Sequence, residues 1–360
     1  MRSLKYFAAF QIPVVVMLSL MGAGWWSFAA VVHVYVIIPI LDQLLPQSTY
    51  NMNKVEEEAA RKDTLYDWML YLLVPFQVGM LIFYLYQVAF APLTMVELVG
   101  NTITMGISCA GLGINLGHEL GHRVNKMERM LAKTLLLTTL DMHFIIEHNL
   151  GHHKRVATAE DPASAGLGEI VYAFVPKSMV LSYLSAWEIE RSRRNRRNKA
   201  FWSLNNEMIQ MTLIQLAALA AVYFLLSPLA ALMYIVVGLI GQALLEIINY
   251  VEHYGLSRAK KESGRYERVH PHHSWNSNHA YGRLVLFELT RHSDHHFMAE
   301  RPYQVLRHFD EAPQLPAGYP AMVLLTLIPP LWFHVMNPRA KAVMQEQYTN
   351  FDASGNPLLA

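Results

Sequence analysis

Cysteine is nearly missing from this sequence: Cys109 stands alone among 360 residues. One thiol can build neither a disulfide within the chain nor a thiolate metal cluster. Charge is scarce as well. Asp, Glu, Lys and Arg make up 16% of the chain, against about 25% in soluble domains. The formal net charge of +1 lacks the broad basic field that nucleic-acid binding uses, so no nucleic-acid partner is expected. No internal repeat or low-complexity tract appears.

A further shortage is local. The connections near 22–26, 91–96 and 226–229 contain no Lys or Arg. They join apolar runs long enough to cross a bilayer, which takes about 20 residues. Six spans are expected, at roughly 7–24, 27–45, 66–90, 95–115, 208–227 and 229–250. The N-terminal run resembles a signal peptide, but it continues too far and a second run follows at once, so it reads as a span. Arg2, Lys5, Lys54, Arg61, Lys62 and the basic residues of 117–205 and 251–360 all fall on the opposite side. With an even number of spans, this asymmetry puts both termini in the cytoplasm. The expected fold is an all-α integral membrane protein, a single domain over 1–360, with cytoplasmic segments 116–207 and 251–360. The apolar stretches 130–146 and 320–336 read as helices in or under the interface, the second broken by its Pro-Pro pair.

What the sequence has in excess is histidine, 17 residues, and all but His33 fall in the two cytoplasmic segments. Four clusters stand out. HELGH carries His118 and His122, and EHNLGHH carries His148, His152 and His153. NYVEHYGL carries His253, and RHSDHH carries His292, His295 and His296. On a helix the last three, at i, i+3 and i+4, share a face. Imidazole suits zinc, copper, iron and nickel. One zinc takes four ligands, so nine imidazoles point to two metals with four or five each. Adjacent helical residues point about 100° apart, so His152/His153 and His295/His296 can face different ions. Glu119, Glu147, Glu252, Asp294, Glu160-Asp161, Asn249 and Asn276 lie close in sequence. They are candidates to accept the second ring N–H of a metal-bound histidine.

Other readings compete. HELGH matches HExxH, the zinc-protease pattern in which the glutamate is a general base, but that leaves most of the other clustered histidines unused. His270, His272, His273 and His279 suit structural or hydrogen-bonding roles, His308 and His334 suit solvent, and His33 and His143 stay outside the site. A metal transporter would need polar residues inside the spans, which are nearly free of charge.

The order HELGH, EHNLGHH with VATAEDPAS, NYVEHYGL, HSWNSN and RHSDHH resembles the membrane-bound alkane 1-monooxygenases of the fatty-acid desaturase/hydroxylase superfamily. The likeness runs from about residue 25 to 340 and includes DEAPQLPAGYP and PPLWFHVMNPRA. The hydroxylase component of xylene monooxygenase shares HYGL and PPLWF. The resemblance implies six spans and a non-haem di-iron centre on the cytoplasmic face of a bacterial inner membrane. Its ligands map onto the same nine histidines. It also implies dioxygen as co-substrate and n-alkane taken from the bilayer. Electrons would come from rubredoxin, itself reduced by an NAD(P)H-dependent reductase. Assembly with further copies of the chain is compatible with it. The stretch FMAERPYQVLRH and the Thr of LTRHSDHH depart from the family's usual pattern, which touches substrate range and donor docking rather than the ligands. A benzylic hydroxylase and a lipid desaturase remain alternatives within the superfamily.

An alkane would be held in an apolar tunnel between spans, with Tyr35 or Phe76 as candidates for its limit against plain packing or lipid contact. The run ERSRRNRRNK (190–199) either faces anionic lipid and fixes topology or docks an acidic electron donor.

Overall fold

The computed structural model describes residues 2–351 and 357–358, so the extreme ends of the expected domain lie outside the described residues. Among the described residues six helices are long and apolar enough to cross a membrane: α1 (Ser3–Met21), α2 (Gly24–Leu44), α3 (Leu65–Phe90), α4 (Met95–Gly121), α7 (Glu207–Leu225) and α8 (Pro228–His253). Between them stand α5 (Lys126–Leu137) and α6 (Val171–Arg196). After them come α9 (His292–Phe297), α10 (Tyr319–Thr326) and α11 (Pro329–Gln347). A two-residue antiparallel pairing, Asn350–Phe351 with Pro357–Leu358, and two isolated bridges, Lys260 with Tyr266 and Asn276 with Gln314, are the exceptions to an all-helical chain among the described residues.

The spans fall where the apolar runs predict, with one informative difference. α4 and α8 do not stop at the ends of their apolar runs but continue to Gly121 and His253. The added turns, NLGHEL and NYVEH, keep helical geometry while turning polar. Two membrane helices thus carry histidines on rigid ends, which holds ligands better than loops do.

The uncharged connections are tied together. Thr94 caps α4 in a capping box with Glu97, and the other Glu97 oxygen accepts the N–H of Gly24, 2.8 Å away, at the turn into α2. Ser227 caps α8, with Pro228 at the first helical position. In the apolar interior α4 and α8 meet through small residues: a Cβ on Gly106 would stand 2.3 Å from Ile240 Cγ2, and one on Gly241 would stand 3.1 Å from Cys109 Cβ. Close backbone approach of this kind drives helix association in lipid, where burying apolar surface gains little. Buried Gln77 on α3 is satisfied across helices, accepting from Ser108 at 2.7 Å and donating to Thr138 at 3.3 Å.

The two ambiguous apolar stretches are not spans. α5 has 12 residues, short of the roughly 20 a bilayer needs, and it packs along the end of α4. The stretch 320–336 breaks between α10 and α11, directly before Pro329-Pro330.

Candidate metal centre

Nine histidines converge from four places. α4 presents His118 in its last turn and His122 at its C-cap; a π turn, His148–His152, leads into His153; α8 ends in His253; α9 carries His292, His295 and His296. They sort into two groups. His118, His122, His148, His153 and His295 form one; His152, His253, His292 and His296 form the other. Within each group the ligand atoms all lie within 4.8 Å of one another.

Local helix geometry explains the sorting. In an α-helix, residues five apart point about 140° from each other. In a π turn the repeat is wider, i to i+5, so His148 and His153 come together with their Nε2 atoms 3.0 Å apart. The third residue inside HNLGHH is what the π turn accommodates. On α9 the expected shared face is split: His292 and His296 stay in one group while His295 joins the other. Positions i+3 and i+4 straddle position i about 100° apart, wide enough to address two ions.

The nitrogens face one another. His118 Nε2 lies 2.8 Å from His295 Nε2, and His292 Nε2 lies 2.8 Å from His296 Nε2 and 3.2 Å from His253 Nε2. A neutral imidazole nitrogen either donates or accepts, so one proton can serve the His118–His295 pair but not every contact around His292 Nε2. Burial also disfavours extra protons: it pushes His122 down to about 4 and holds His148, His153, His292, His295 and His296 well below the usual histidine value. Buried, neutral lone pairs aimed at a common point suit a bound cation, and an all-imidazole set suits zinc, copper, iron or nickel.

His152 differs. Burial opposes its protonation, yet Asp161 overrides this and raises its pKa; the two side chains are fully buried, with Nδ1 2.9 Å from Oδ2. Ser164 Oγ donates to the same oxygen at 2.6 Å. Asp161 thereby fixes the ring with Nε2 facing its group. Glu252 Oε2 stands 3.2 Å from His292 Nε2.

The other polar neighbours are engaged elsewhere rather than on ring nitrogens. Glu119 accepts from Arg123 at 2.8 Å and from the Tyr303 N–H at 3.3 Å. Glu147 takes Arg155 at 2.7 Å, and Asp294 takes Arg301 at 2.6 and 2.7 Å together with the Arg307 N–H. Asn249 donates to Glu246, Asn276 accepts the Ser293 N–H at the start of α9, and Glu160 is exposed. The oxygens of Glu119, Glu147, Asp294 and Asn276 thus hold the elements that carry the histidines, and arginines or backbone amides fill them. Buried Glu246, bound by Ser178 at 2.6 Å, was not singled out from sequence; one carboxylate within an apolar span gives no sign of its partner.

An apolar cavity of about 130 Å³ reaches both groups, touching His118 and His148 of one and His292 of the other, with Asn249 and Glu252 beside them. It follows α4 from Ile107 to His118, about 16 Å at 1.5 Å per residue. Tyr35 lines it, whereas Phe76 is half exposed and does not. All three π segments, His33–Ile37, Cys109–Ile114 and His148–His152, contribute lining residues. Such bulges recur at functional sites.

The protease reading does not survive this geometry. Glu119 of HELGH is turned to Arg123 and Tyr303, and three further imidazoles crowd His118 and His122. A third cluster, Glu267, His272 and His273, also has metal-ligand spacing. There the His270 N–H donates to His273 Nδ1 at 2.9 Å, so a neutral His273 carries its proton on Nε2, directed at Tyr348 and Glu267. That nitrogen is a donor, and the cluster is a hydrogen-bonded latch. His279 bonds Ser277 and Gln47, His143 pairs with Asp141, and His308 with Asp310; none joins either group.

The family model for fatty acid desaturases matches residues 92–326. Alkane 1-monooxygenase of Acinetobacter baylyi is 39% identical over 315 residues, covering 88% of this chain and 77% of that protein. Alkane 1-monooxygenase 1 of Pseudomonas aeruginosa is 40% identical over 321 residues, covering 89% and 84%. The xylene/toluene monooxygenase hydroxylase component of Pseudomonas putida is 29% identical over 339 residues, covering 92% and 87%.

Proposed function

The chain belongs to the alkane 1-monooxygenases within the fatty acid desaturase family, and on that premise we propose that its nine clustered histidines bind two iron ions, five ligands to one and four to the other. It is an alkane monooxygenase in a multi-pass membrane protein. The reaction is RH + O2 + 2 electrons + 2 protons giving ROH + H2O, with the hydroxyl placed on a terminal methyl. When bound, the irons supply the activation of dioxygen.

The chain's own residues do the rest. The cavity takes the alkane from the bilayer and excludes water. Its walls, among them Val34, Ile114, Leu245 and Leu286, offer an extended chain no polar handle but a single direction, methyl end toward His118, His148 and His292. Asp161 keeps the His152 ring aimed at its group. Selection rests on cavity length, with Tyr35 on the wall, and discrimination per methylene is modest.

Electrons arrive from a redox partner, which we assign to rubredoxin with its NAD(P)H-dependent reductase. A groove of about 900 Å³ beside α6 is edged by Lys154, Lys177, Arg193 and Arg196, and Asp161, the partner of His152, lies in its lining. The basic run 190–199 is only partly free for docking: Arg194 is buried against the carbonyls of Ala200 and Asn205, and Arg193 pairs with Glu190 and Glu207. Both termini and the histidines lie on the cytoplasmic side of a bacterial inner membrane in this reading, as the loop charges favour.

The observation that carries the function is the apolar cavity ending on histidines of both groups. The test is product analysis. Membranes holding the protein, with rubredoxin, reductase and NADH, receive n-alkanes, p-xylene and a fatty acid. Primary alkanols in the gas chromatogram are the expected result. Benzylic alcohol alone, or an unsaturated acid alone, overturns the substrate.

A further inference from the structure

Asp161 and Glu252 both meet the four-histidine group, but at opposite ends of a ring. Asp161 touches His152 at Nδ1, behind the ring. Glu252 touches His292 at Nε2, the same nitrogen that faces His253 and His296. A carboxylate that orients a ligand sits where Asp161 sits. Glu252 sits on the nitrogen side of His292, where the ion belongs, and not within 4.8 Å of every ring of the group.

Three further facts bear on it. Two donor atoms each about 2.1 Å from one ion and at right angles stand about 3 Å apart, and the observed separation is 3.2 Å. The Glu252 side chain is 2% exposed, and its second oxygen, Oε1, is buried and short of a well-formed hydrogen bond, with the buried Tyr319 hydroxyl beside the carboxylate. Among the described residues no lysine or arginine forms an ion pair with it. A buried carboxylate without a counter-charge is strongly unfavourable; a divalent cation next to it removes that cost.

We propose that Glu252 is a fifth ligand to the ion held by His152, His253, His292 and His296, entering from the cavity side. The inference rests on the two-iron reading above. It makes both ions five-coordinate in protein ligands but unlike in charge: five neutral imidazoles on one, four imidazoles and a carboxylate on the other. Because Glu252 also lines the cavity, the anionic ligand stands where substrate and iron meet.

The test is Mössbauer spectroscopy of the purified, iron-57-loaded ferrous protein, together with the rate at which a chelator removes each iron. Wild type should show two ferrous doublets. Glu252→Gln should shift one doublet and leave the other, and speed loss of that one iron by more than 100-fold, beyond the roughly 10–100-fold of an outer-sphere change. Glu252→Asp keeps the charge and withdraws the oxygen by one methylene, and guards against a misfolded Gln variant; it should perturb the same doublet alone. Two unchanged doublets and unchanged iron loss in a folded variant overturn the ligand role while leaving the two-iron reading intact. A wild-type protein that binds fewer than two irons overturns that reading and the ligand with it.

Discussion

The two histidine groups share a ligand type and differ in what stands around it. The five-histidine group is built from α4, the π turn and α9, and among the described residues no carboxylate meets any of its ring nitrogens. The four-histidine group draws one ring from each of the π turn and α8 and two from α9, and it meets two carboxylates, Asp161 and Glu252. Identical rings are thus placed in unequal fields. Asp161 raises the basicity of His152, while burial without a counter-charge lowers that of His148, His153 and His295. The lesson is that asymmetry in such a centre comes from the carboxylates that meet the rings, and that a count of histidines alone misses it.

The largest expected effects come from the ligands themselves. His148→Ala should remove iron from the five-histidine group and His292→Ala from the four-histidine group, each taking bound iron from two per chain to one. Hydroxylation should fall by more than about 100-fold in both, beyond what loss of an outer-sphere partner costs. Metal analysis after gel filtration decides. If either change empties both positions, the division into two groups is false and the nine rings act as one unit.

Asp161→Asn comes next. It keeps the shape and removes the charge behind His152. Iron affinity should fall by roughly 10–100-fold in the four-histidine group and stay unchanged in the other. Titration with a competing chelator measures both in one experiment, and equal weakening of both irons would erase the asymmetry.

Acid should set His152 apart from the other rings in the metal-free protein. A histidine whose folded pKa is lowered adds stability that is complete above its unfolded value of 6.5 and lost as pH falls toward the folded one, about 4 for His122. His148, His153, His292, His295 and His296 shift the same way. His152 shifts upward, so its contribution is complete below 6.5 and lost as pH rises through its folded value. Six against one predicts a melting temperature that drops between pH 7 and 5. Asp161→Asn should steepen that drop, since His152 would then behave like its neighbours; an unchanged slope would mean that Asp161 does not tune it.

Much of this was legible in the sequence, and the rest fails for a definable reason. The six spans follow from apolar length, and the adjacent pairs His152/His153 and His295/His296 do divide between two groups, as their angular separation requires. Sequence distance, in contrast, made Glu119, Glu147 and Asp294 look like neighbours of the rings. Each sits one or two positions from a histidine, yet points away from it to an arginine. Asp161, nine positions from His152, is the one that reaches back to it. Proximity along a helix says little about side-chain direction. Periodicity fails at the π turns too: nothing in HNLGHH announces the wider repeat that brings His148 to His153.

The smallest effect should come from the far wall of the cavity, and it isolates the metal comparison from substrate binding. Gly111 lies in the π segment of α4 and lines the cavity, and a Cβ built there meets nothing within 4 Å. Gly111→Leu therefore has room, and its four carbons occupy length that an alkane would use. The longest n-alkane accepted should shorten by about three or four carbons, with roughly tenfold or greater loss for the longest chains, since a misfitting methylene costs about 1–3 kcal/mol. Short alkanes should react nearly as before. Both ferrous doublets should stay where they are, because the substitution touches no ligand. A chain-length profile from gas chromatography reads the first part and the iron spectrum the second. Movement of one doublet would show that the cavity wall and the metal groups are mechanically coupled; an unchanged length profile would mean that alkane does not run along Ile107–His118.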